Sequence, residues 1–467
     1  NLFSKSGYFI SSIGKSWISL NADVYEINSD LERDIYFENK DLEGDLSFRS
    51  KIVYKLKKGI ELSGGLSAKS INLDYENWFA DRPKNLYGYS LDSAESPQSI
   101  SEEVFYTTYF DNPNTIITEI GSFGELDTFK TKAVLNYQKY GGFLQINSLP
   151  FPNMEISLGA RLDYISFTDE SSLSPRFGMK YHLTPLLKLN LSAGRYFQSP
   201  FNIQLNSNSG SPKSLKNYFA DQLVGGFEFF PASDTRITLE YYVKKYDDMV
   251  TFEILENSAG KDSLNFENLV NVGEGQSDGI EFFIQKKYSD NWYGSISWSH
   301  SIAEGVDPRS NTLYPWDYDY KDVMNIVGGY KIQYTNFSWY KSYKNSWVAK
   351  AFSWLPFMPS DEYEISIKYR YMGGRPFTLK HFDPTTRDWY SNSDDAWNTE
   401  RYGNYNRLDI MIQQRFNFKK VNLVAFWDII NILNRPNPNE YVYIEDGSKV
   451  MSWQYTTMPI GGMILEF

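Results

Sequence analysis

The sequence contains no cysteine, which excludes disulfide bonds and thiolate metal ligands. Its 3 histidines, His182, His300 and His381, are far apart and lack the spacing of a metal-ligand set. No stretch reaches the roughly 18 uninterrupted apolar residues of a transmembrane helix. Basic residues are outnumbered, with 46 Lys and Arg against 58 Asp and Glu, so the net charge is -12. Nucleic acid is therefore disfavoured as a partner, because phosphate binding needs a basic surface.

Aromatic residues, in contrast, are abundant. The chain has 36 Tyr, 32 Phe and 12 Trp, together 17% of its 467 residues. The mean hydropathy is nevertheless negative, at -0.48. A β-barrel with one lipid-facing apolar side and one water-facing polar side combines a high aromatic content with a negative mean hydropathy. The composition thus favours one large membrane barrel over several soluble domains.

Apolar and polar residues alternate along many segments, as in strands whose successive side chains point to opposite faces. Between positions 236 and 245, for example, Ile237, Leu239, Tyr241 and Val243 alternate with charged or hydroxyl side chains. No run of amphipathic helices separates these segments, which argues against βαβ units. About sixteen strands are predicted, near 16–27, 44–56, 59–74, 127–146, 154–165, 174–183, 187–198, 221–230, 235–249, 278–288, 292–302, 322–333, 362–373, 406–418, 421–433 and 458–467.

The connections between these segments alternate between short and long. The short ones lie at 57–58, 184–186, 231–234, 289–291 and 419–420, and the long ones at 75–126, 199–220, 250–277, 303–321, 374–405 and 434–457. Outer-membrane barrels have short periplasmic turns and long external loops. We therefore predict an all-β fold, a transmembrane antiparallel up-and-down β-barrel over residues 1–467.

One connection departs from this rule. Residues 333–361 stand where a short turn is expected, and they carry lysines but no acidic residue before Asp361. Aromatic and small residues recur there at near-helical spacing, at positions 339, 343, 347, 351 and 354. The segment is either a helix lying in the inner membrane interface or an ordered loop packed under the barrel.

A series of short motifs extends along the C-terminal two thirds of the chain. They are SPRFG at 174–178, LSAGRYFQSP at 191–200, EYYVKKYDD at 240–248, GQSDGIE at 275–281, GGRPFT at 373–378, YNRLD at 405–409 and DIINILNR at 428–435. The last strand ends in Phe467, which is the expected signal for barrel assembly. In this order, the motifs resemble the C-terminal barrel of TonB-dependent receptors, particularly those of Bacteroidetes type.

The resemblance implies a barrel of about 22 strands filled by an N-terminal plug. It also implies ligand binding on the external loops and the plug, with energy supplied by the TonB protein of the inner membrane. The sequence shows about sixteen strands and neither a plug nor a TonB-contacting segment, so we expect it to be part of a longer receptor. A self-contained smaller barrel would also account for sixteen strands. The implied partners are outer-membrane lipid, the plug, TonB, and a surface lipoprotein or complex subunit.

Several aromatic residues have candidate roles. In the long loops, Trp316, Trp389, Tyr390 and Trp397 could contact a sugar or peptide, pack on one another to order the loops, or sit in the interfacial girdle. Near strand ends, an interfacial girdle is expected from Trp17, Tyr164, Trp292, Trp298 and Trp427.

Metal binding and catalysis have little support. Two loop acid pairs, Asp317 with Asp319 and Asp394 with Asp395, could hold Ca²⁺, although solvated loop charge is the better explanation for them. The glycine-rich segment 273–279 has the wrong spacing for a dinucleotide loop, and we interpret it as a tight strand entry. No nucleophile elbow or P-loop occurs, so we predict neither an enzyme nor a cofactor.

Three functional classes remain at this stage. The first is the barrel of an energy-coupled nutrient receptor. The second is a passive porin or a structural barrel that acts as a scaffold in an outer-membrane complex. The third is a soluble all-β glycan-binding protein. A plug domain upstream would distinguish the first from the second, and solubility without detergent would identify the third.

Overall fold

Sixteen long strands follow one another in the computed structural model, and each pairs antiparallel with the next. Their bounds, β1 to β16 in chain order, are Gly7–Ile27, Arg33–Lys57, Ile60–Ala80, Thr128–Phe151, Met154–Ile165, Glu170–His182, Leu187–Gln198, Tyr218–Ala232, Thr235–Glu256, Asp262–Ser289, Trp292–Asp307, Asp322–Ile332, Glu362–Met372, Tyr405–Asn417, Asn422–Ile430 and Met458–Glu466. All sixteen predicted strands are confirmed.

The structure describes residues 2–4, 6–27, 33–57, 59–80, 86–90, 98–100, 115–118, 128–205, 212–256, 262–382, 389–391, 396–444 and 447–467. Over these ranges, the sheet also includes short strands at Leu2–Ser4 and Thr312–Pro315. No pairing between β1 and β16 occurs within the same ranges, so the described sheet has two free edges.

The two faces of the sheet differ in the way the alternation predicts. Leu158 and Leu162 on β5 are 50% and 55% exposed, and Ile365 and Ile367 on β13 are 42% and 43% exposed. An exposed apolar face of this extent is stable only against lipid. We call this the outward face and the opposite, polar face the interior face. The apolar positions do not meet in a dry layer between stacked sheets.

The short connections end the strands at one rim, which we call the turn rim. Between β10 and β11 only Asp290 and Asn291 form the turn, with φ values of 50° and 70°. Positive φ at both central residues is the mark of a type I′ hairpin, whose twist matches that of the flanking strands. Asp and Asn tolerate this backbone region better than other side chains do.

At the opposite rim, the long-loop rim, the strands continue further than predicted. β10 has 28 residues, whereas about ten cross a bilayer. The predicted loops at 75–126 and 250–277 are consequently too long. The glycine-rich segment 273–279 lies inside β10 rather than at a strand entry, so that interpretation was wrong. Pairing with β9 continues past it through register shifts beside Met249.

The connection at 333–361 contains a 3-10 turn at Tyr334–Asn336 and two short helices, α2 at Tyr340–Asn345 and α3 at Trp347–Phe352. The helical spacing in the sequence is thus real, but it forms two six-residue helices rather than one. In the part of the chain described here, no helix has the length and apolar character needed to cross a bilayer.

The predicted girdle residues all lie on the outward face, which is consistent with the interfacial role still predicted for them. Trp17 and Trp292 are 69% and 45% exposed, and Trp298 and Trp427 are 36% and 37% exposed. Tyr164 is half-buried against Tyr140, with ring centroids 6.3 Å apart. Phe467 follows β16 and is 98% exposed.

Candidate ligand-facing site at the long-loop rim

The connection between β7 and β8 folds onto the interior face instead of projecting away from the rim. It contains α1 at Asn202–Leu205 and a 3-10 turn at Pro212–Ser214. Leu205 and Leu215 are each 1% exposed and pack with Leu73 of β3 and Tyr137 of β4. Burial of these leucines gives the loop a small hydrophobic core of its own.

Polar contacts fix the same loop to the wall. The Tyr137 hydroxyl donates to Asn202 Oδ1 at 2.7 Å, and Lys139 Nζ donates to Ser199 Oγ at 2.5 Å. Further along, Asn217 Nδ2 donates to Ser172 Oγ at 2.6 Å. The loop therefore narrows the interior near the long-loop rim. The sequence contained a signal that was missed, two leucines in a largely polar segment.

Replacing Leu205 with alanine should loosen this loop. Removal of a fully buried leucine costs about 2–5 kcal/mol where the cavity cannot collapse. We expect faster amide hydrogen exchange at 199–205, measured by mass spectrometry. The matched control is Leu186→Ala at the turn rim, where the side chain is 49% exposed. Equal exchange in the two variants would contradict the proposed packing.

Trp316 lies flat on the interior face over a pair of facing glycines. Gly275 of β10 and Gly305 of β11 are directly opposite each other, and a Cβ on either would collide with the indole. The Tyr246 ring closes the third side at 5.1 Å. The glycines are required here by the close approach of an aromatic ring.

Replacing Gly305 with alanine should displace Trp316, because the new Cβ would lie 2.5 Å from Nε1. We expect a cost of about 1–3 kcal/mol, seen as faster exchange of the amides at 313–320. Gly328→Ala in β12 is the control, since its Cβ would lie 3.6 Å from the nearest atom. In a Trp316→Ala background most of the cost should disappear, and only the contact of the new Cβ with the Tyr314 ring at 3.0 Å would remain. If the full cost persists there, Trp316 is not the group displaced.

Trp397 belongs to a second packed group. Its ring stands edge-on to Tyr314 at 4.9 Å, and the Arg309 guanidinium lies 4.2 Å above it. Arg309 is itself paired with Asp307 at 2.5 Å. Burial raises the pKa of the Tyr314 hydroxyl, and the charges of Asp307 and Asp317 raise it further.

Trp389 joins a third group, which links the β13–β14 and β15–β16 loops. We call this the loop aromatic cluster. Trp389 Nε1 donates to Ile444 O at 2.8 Å, and its ring lies 4.8 Å from Tyr443. The remaining members are Phe377, Phe382, Tyr402 and Tyr441. Three cations stack on its rings, Arg375 on Tyr402, Lys380 on Tyr443 and Lys449 on Tyr441. Tyr390 lies beside this cluster and is 45% exposed.

Two of the four candidate calcium ligands bind other protein groups. Asp319, with its side chain 1% exposed, pairs with Arg401 at 2.6 Å. Asp317 accepts from Asn398 Nδ2 at 2.7 Å. Asp394 and Asp395 lie outside the described residues. Within the described ranges, no group of three or more His, Cys, Asp or Glu residues could hold a metal ion. The two carboxylates join loops to each other in this structure.

Together these features form a membrane wall with an apolar outward face. At its long-loop rim, the β7–β8 connection (here called the interior loop) folds onto the interior face and the loop tryptophans pack against their neighbours. The family model for TonB dependent receptor-like β-barrels matches residues 7–432. The chain belongs to this family. The predicted family, the all-β barrel fold and the outer-membrane location are confirmed by this match. The narrower resemblance to Bacteroidetes-type receptors stays a prediction.

This TonB-dependent receptor barrel is similar in fold to solved outer-membrane proteins. The transporter YddB from Escherichia coli gives a TM-score of 0.62 at 11% identity, covering 99% of this chain and 61% of that one. FpvA from Pseudomonas aeruginosa PAO1, bound to pyoverdine, gives 0.63 at 13% identity, covering 100% and 60%. The copper transporter OprC gives 0.59 at 10% identity, covering 99% and 62%.

The likeness to these structures is one of fold, since the identities are low. The receptor barrel spans about three-fifths of the length of the solved structures above. No curated protein sequence matches it.

Proposed function

We propose that this chain is the barrel of a receptor for energy-coupled uptake of a nutrient across the outer membrane. The family match over residues 7–432 carries the proposal. In a complete receptor, a plug domain would fill the barrel and TonB would supply the energy, and a surface lipoprotein could cover the ligand. The ligand class is open, because the relatives named above include a pyoverdine receptor and a copper transporter.

Within this function, we assign ligand contact to the long-loop rim. Tyr390 has one ring neighbour, His381 at 6.0 Å, and remains 45% exposed. Trp316, Trp389 and Trp397 are packed more closely against other loop residues. The packed residues would hold the loops in shape, and the exposed ring would meet the solute. Below these loop aromatics, the interior loop would narrow the path of the solute through the barrel.

The decisive test uses cells that produce the full-length protein in defined medium. Mass spectrometry of the medium should show one solute class disappearing only when the receptor is present and the inner membrane is energised. A protonophore should abolish the depletion. The reference strain lacks the receptor gene.

Depletion that continues in the presence of protonophore would contradict energy coupling. The purified protein in liposomes would then be tested for swelling in arabinose. Rapid swelling would identify a passive porin, and the absence of both depletion and swelling would identify a structural barrel.

A further inference from the structure

The connection at 333–361, here called the inserted segment, lies against the outward face. Gln414 marks the contact. It belongs to the outward row of β14, between Ile412 and Phe416, yet it is 0% exposed. Its Nε2 lies 3.2, 2.9 and 2.7 Å from the carbonyl oxygens of Ser353, Leu355 and Met358 respectively. A polar side chain on the lipid-facing row is thus covered by the backbone of the inserted segment.

A second contact fixes the segment on the same face. Tyr363 of β13 is directly opposite Gln414 and therefore also points outward. Its hydroxyl donates to Pro356 O at 2.7 Å, and its ring packs edge-on against Tyr334 at 6.2 Å. The inserted segment does not lie under the interior of the barrel, so that interpretation of the sequence was wrong.

A buried carboxylate holds the two ends of the segment together. Asp361 is 2% exposed at its side chain and accepts from Lys344 at 2.7 Å and from the Tyr340 hydroxyl at 3.1 Å. The backbone N–H of Asn417 donates to it at 2.7 Å. Burial and the Asp361 charge raise the pKa of Tyr340, so this hydroxyl stays protonated and continues to donate.

The surface that the segment turns away from the wall is aromatic. Its exposed rings are Phe337 47%, Trp339 47%, Trp347 73%, Phe352 41%, Trp354 52% and Phe357 68%. Such a patch in water would favour aggregation, whereas indole rings are at their most stable at the boundary between lipid chains and headgroups. The patch continues onto the apolar wall, where Ile365 is 42% exposed.

The exposed charges of the segment are all positive. Lys341 and Lys350 are exposed, and neither forms an ion pair with any described residue. Lys344 is already paired with Asp361, and no acidic residue occurs between 333 and 360. Cations beside interfacial aromatics match the phosphates of phospholipid headgroups.

We propose that the inserted segment is a membrane-interface anchor. It lies in the headgroup layer of the leaflet at the turn rim, with its aromatic rings at the acyl boundary and Lys341 and Lys350 on phospholipid phosphates. The anchor depends on the outer-membrane location and not on uptake, so a failure of either proposal can be distinguished from a failure of the other.

Because the chain has no cysteine, single-cysteine variants give clean probes. Trp347→Cys and Phe357→Cys, each labelled with a nitrobenzoxadiazole dye, are reconstituted in phosphatidylcholine–phosphatidylglycerol vesicles. Quenching is measured with a headgroup spin label, a spin label at acyl carbon 12, and aqueous iodide. Ile367→Cys on the wall and Tyr318→Cys in an external loop are the controls. The heat-dependent shift on SDS gels verifies that each barrel is folded.

We expect the headgroup spin label to quench positions 347 and 357 at least twofold more than the carbon-12 label, with little quenching by iodide. Position 367 should show the reverse lipid preference, and position 318 should respond to iodide alone. Strong iodide quenching at 347 and 357 would overturn the proposal by placing the rings in water. Protection from all three quenchers would also overturn it, since another protein would then cover the segment.

The lysines are tested separately in the Trp347→Cys background. Headgroup quenching should rise when phosphatidylglycerol is included in the vesicles, because the leaflet becomes more anionic. In a Lys341→Gln/Lys350→Gln variant this rise should disappear. If the full rise persists in that variant, the assignment of phosphate binding to the two lysines is wrong.

Discussion

Replacing Arg401 with alanine is expected to loosen the external loops by about 3–5 kcal/mol, the usual cost of leaving one buried charge without its partner. Arg401 Nη2 donates to Asp319 Oδ2 at 2.6 Å, and that carboxylate is only 1% exposed. The other guanidinium nitrogen, Nη1, donates to Gly374 O at 3.0 Å and to the main-chain oxygen of Asp319. Arg401 thus joins the β13–β14 loop to the β11–β12 loop, through a contact with a residue 82 positions earlier in the sequence.

The measurement is hydrogen exchange at 316–320 and 398–402, with the strands of the wall as internal reference. Arg401→Lys should restore only part of the protection, because an ammonium group cannot reproduce the fork of a guanidinium. Arg375→Ala is the control, since Arg375 stacks on Tyr402 without a carboxylate partner in the described chain. Protection that survives Arg401→Ala would show that Asp319 is held by Ala303 N–H, at 3.1 Å, rather than by the ion pair.

Adding Asp319→Asn to Arg401→Ala should recover much of the loss. The double variant removes the buried charge as well as its partner, and what remains is a neutral side chain that can accept the Ala303 N–H. Recovery would separate the penalty of an isolated carboxylate from the stabilisation given by the pair itself. A double variant as loose as Arg401→Ala would mean that the hydrogen bonds of Arg401 to main-chain oxygens matter more than the charge.

The strands could be predicted because lipid on one side imposes a period of two. The row of Ile237, Leu239 and Tyr241 is apolar because it faces outward, and its neighbours are polar because they face the interior. This constraint acts on every membrane-spanning residue of β9, so a single sequence is enough to reveal it. The same reasoning located all sixteen strands of the wall.

The strand ends could not be predicted, because lipid imposes the alternation of apolar and polar residues only within the bilayer, and the strands extend beyond it. In β3 the outward row changes from Leu66 to Asn72, Asp74 and Glu76 along the direction of the long-loop rim. Pairing with β4 nevertheless continues to Ala80, since backbone hydrogen bonds do not depend on the side chain. A strand that is polar on its outward face therefore looks like a loop in the sequence.

The loop tryptophans show a different limit. The position of Trp316 depends on Gly275 and Gly305, and that of Trp397 on Arg309 and Tyr314. These partners are brought into contact by the register of the strands and by the way the loops fold back. Neither can be predicted from the residues next to a tryptophan in the sequence. Sequence reasoning could place the tryptophans in the correct loops but could not distinguish a packed ring from an exposed one.

Gln414 shows how an exception within a regular pattern carries information. A polar residue on the lipid-facing row costs free energy unless something covers and satisfies it. Here the inserted segment covers Gln414 and supplies three carbonyl acceptors to its Nε2, whereas its Oε1 has no hydrogen-bond partner among the described residues. Ala425, which faces Gln414 from β15, is only 4% exposed. The break in the alternation at position 414 is visible in the sequence, but only the structure shows that the inserted segment covers it.

Replacing Gln414 with leucine should leave the barrel folded and release the inserted segment. Leucine suits the lipid-facing row, so the wall loses nothing, but the carbonyls of Ser353, Leu355 and Met358 lose their donor. The two amide hydrogens are shared among three acceptors, and each acceptor left buried without a donor costs about 1–3 kcal/mol. Part of this cost is offset, because leucine also removes the buried Oε1 of Gln414, which has no partner among the described residues. A net change of about 2 kcal/mol would raise the open fraction of the segment about 30-fold.

Trypsin cleavage after Lys350 reports that open fraction directly, and the heat-dependent gel shift shows whether the wall remains intact. Gln413→Leu is the matched control, because it makes the same chemical change one residue away on the interior face. Cleavage at the wild-type rate in Gln414→Leu would mean that Tyr363 alone holds the segment. Tyr363→Phe, which removes the hydrogen bond to Pro356, would then have to release it. If neither variant released the segment, its attachment would have to come from the Asp361 contacts at its base, and Gln414 would be a polar residue buried without consequence.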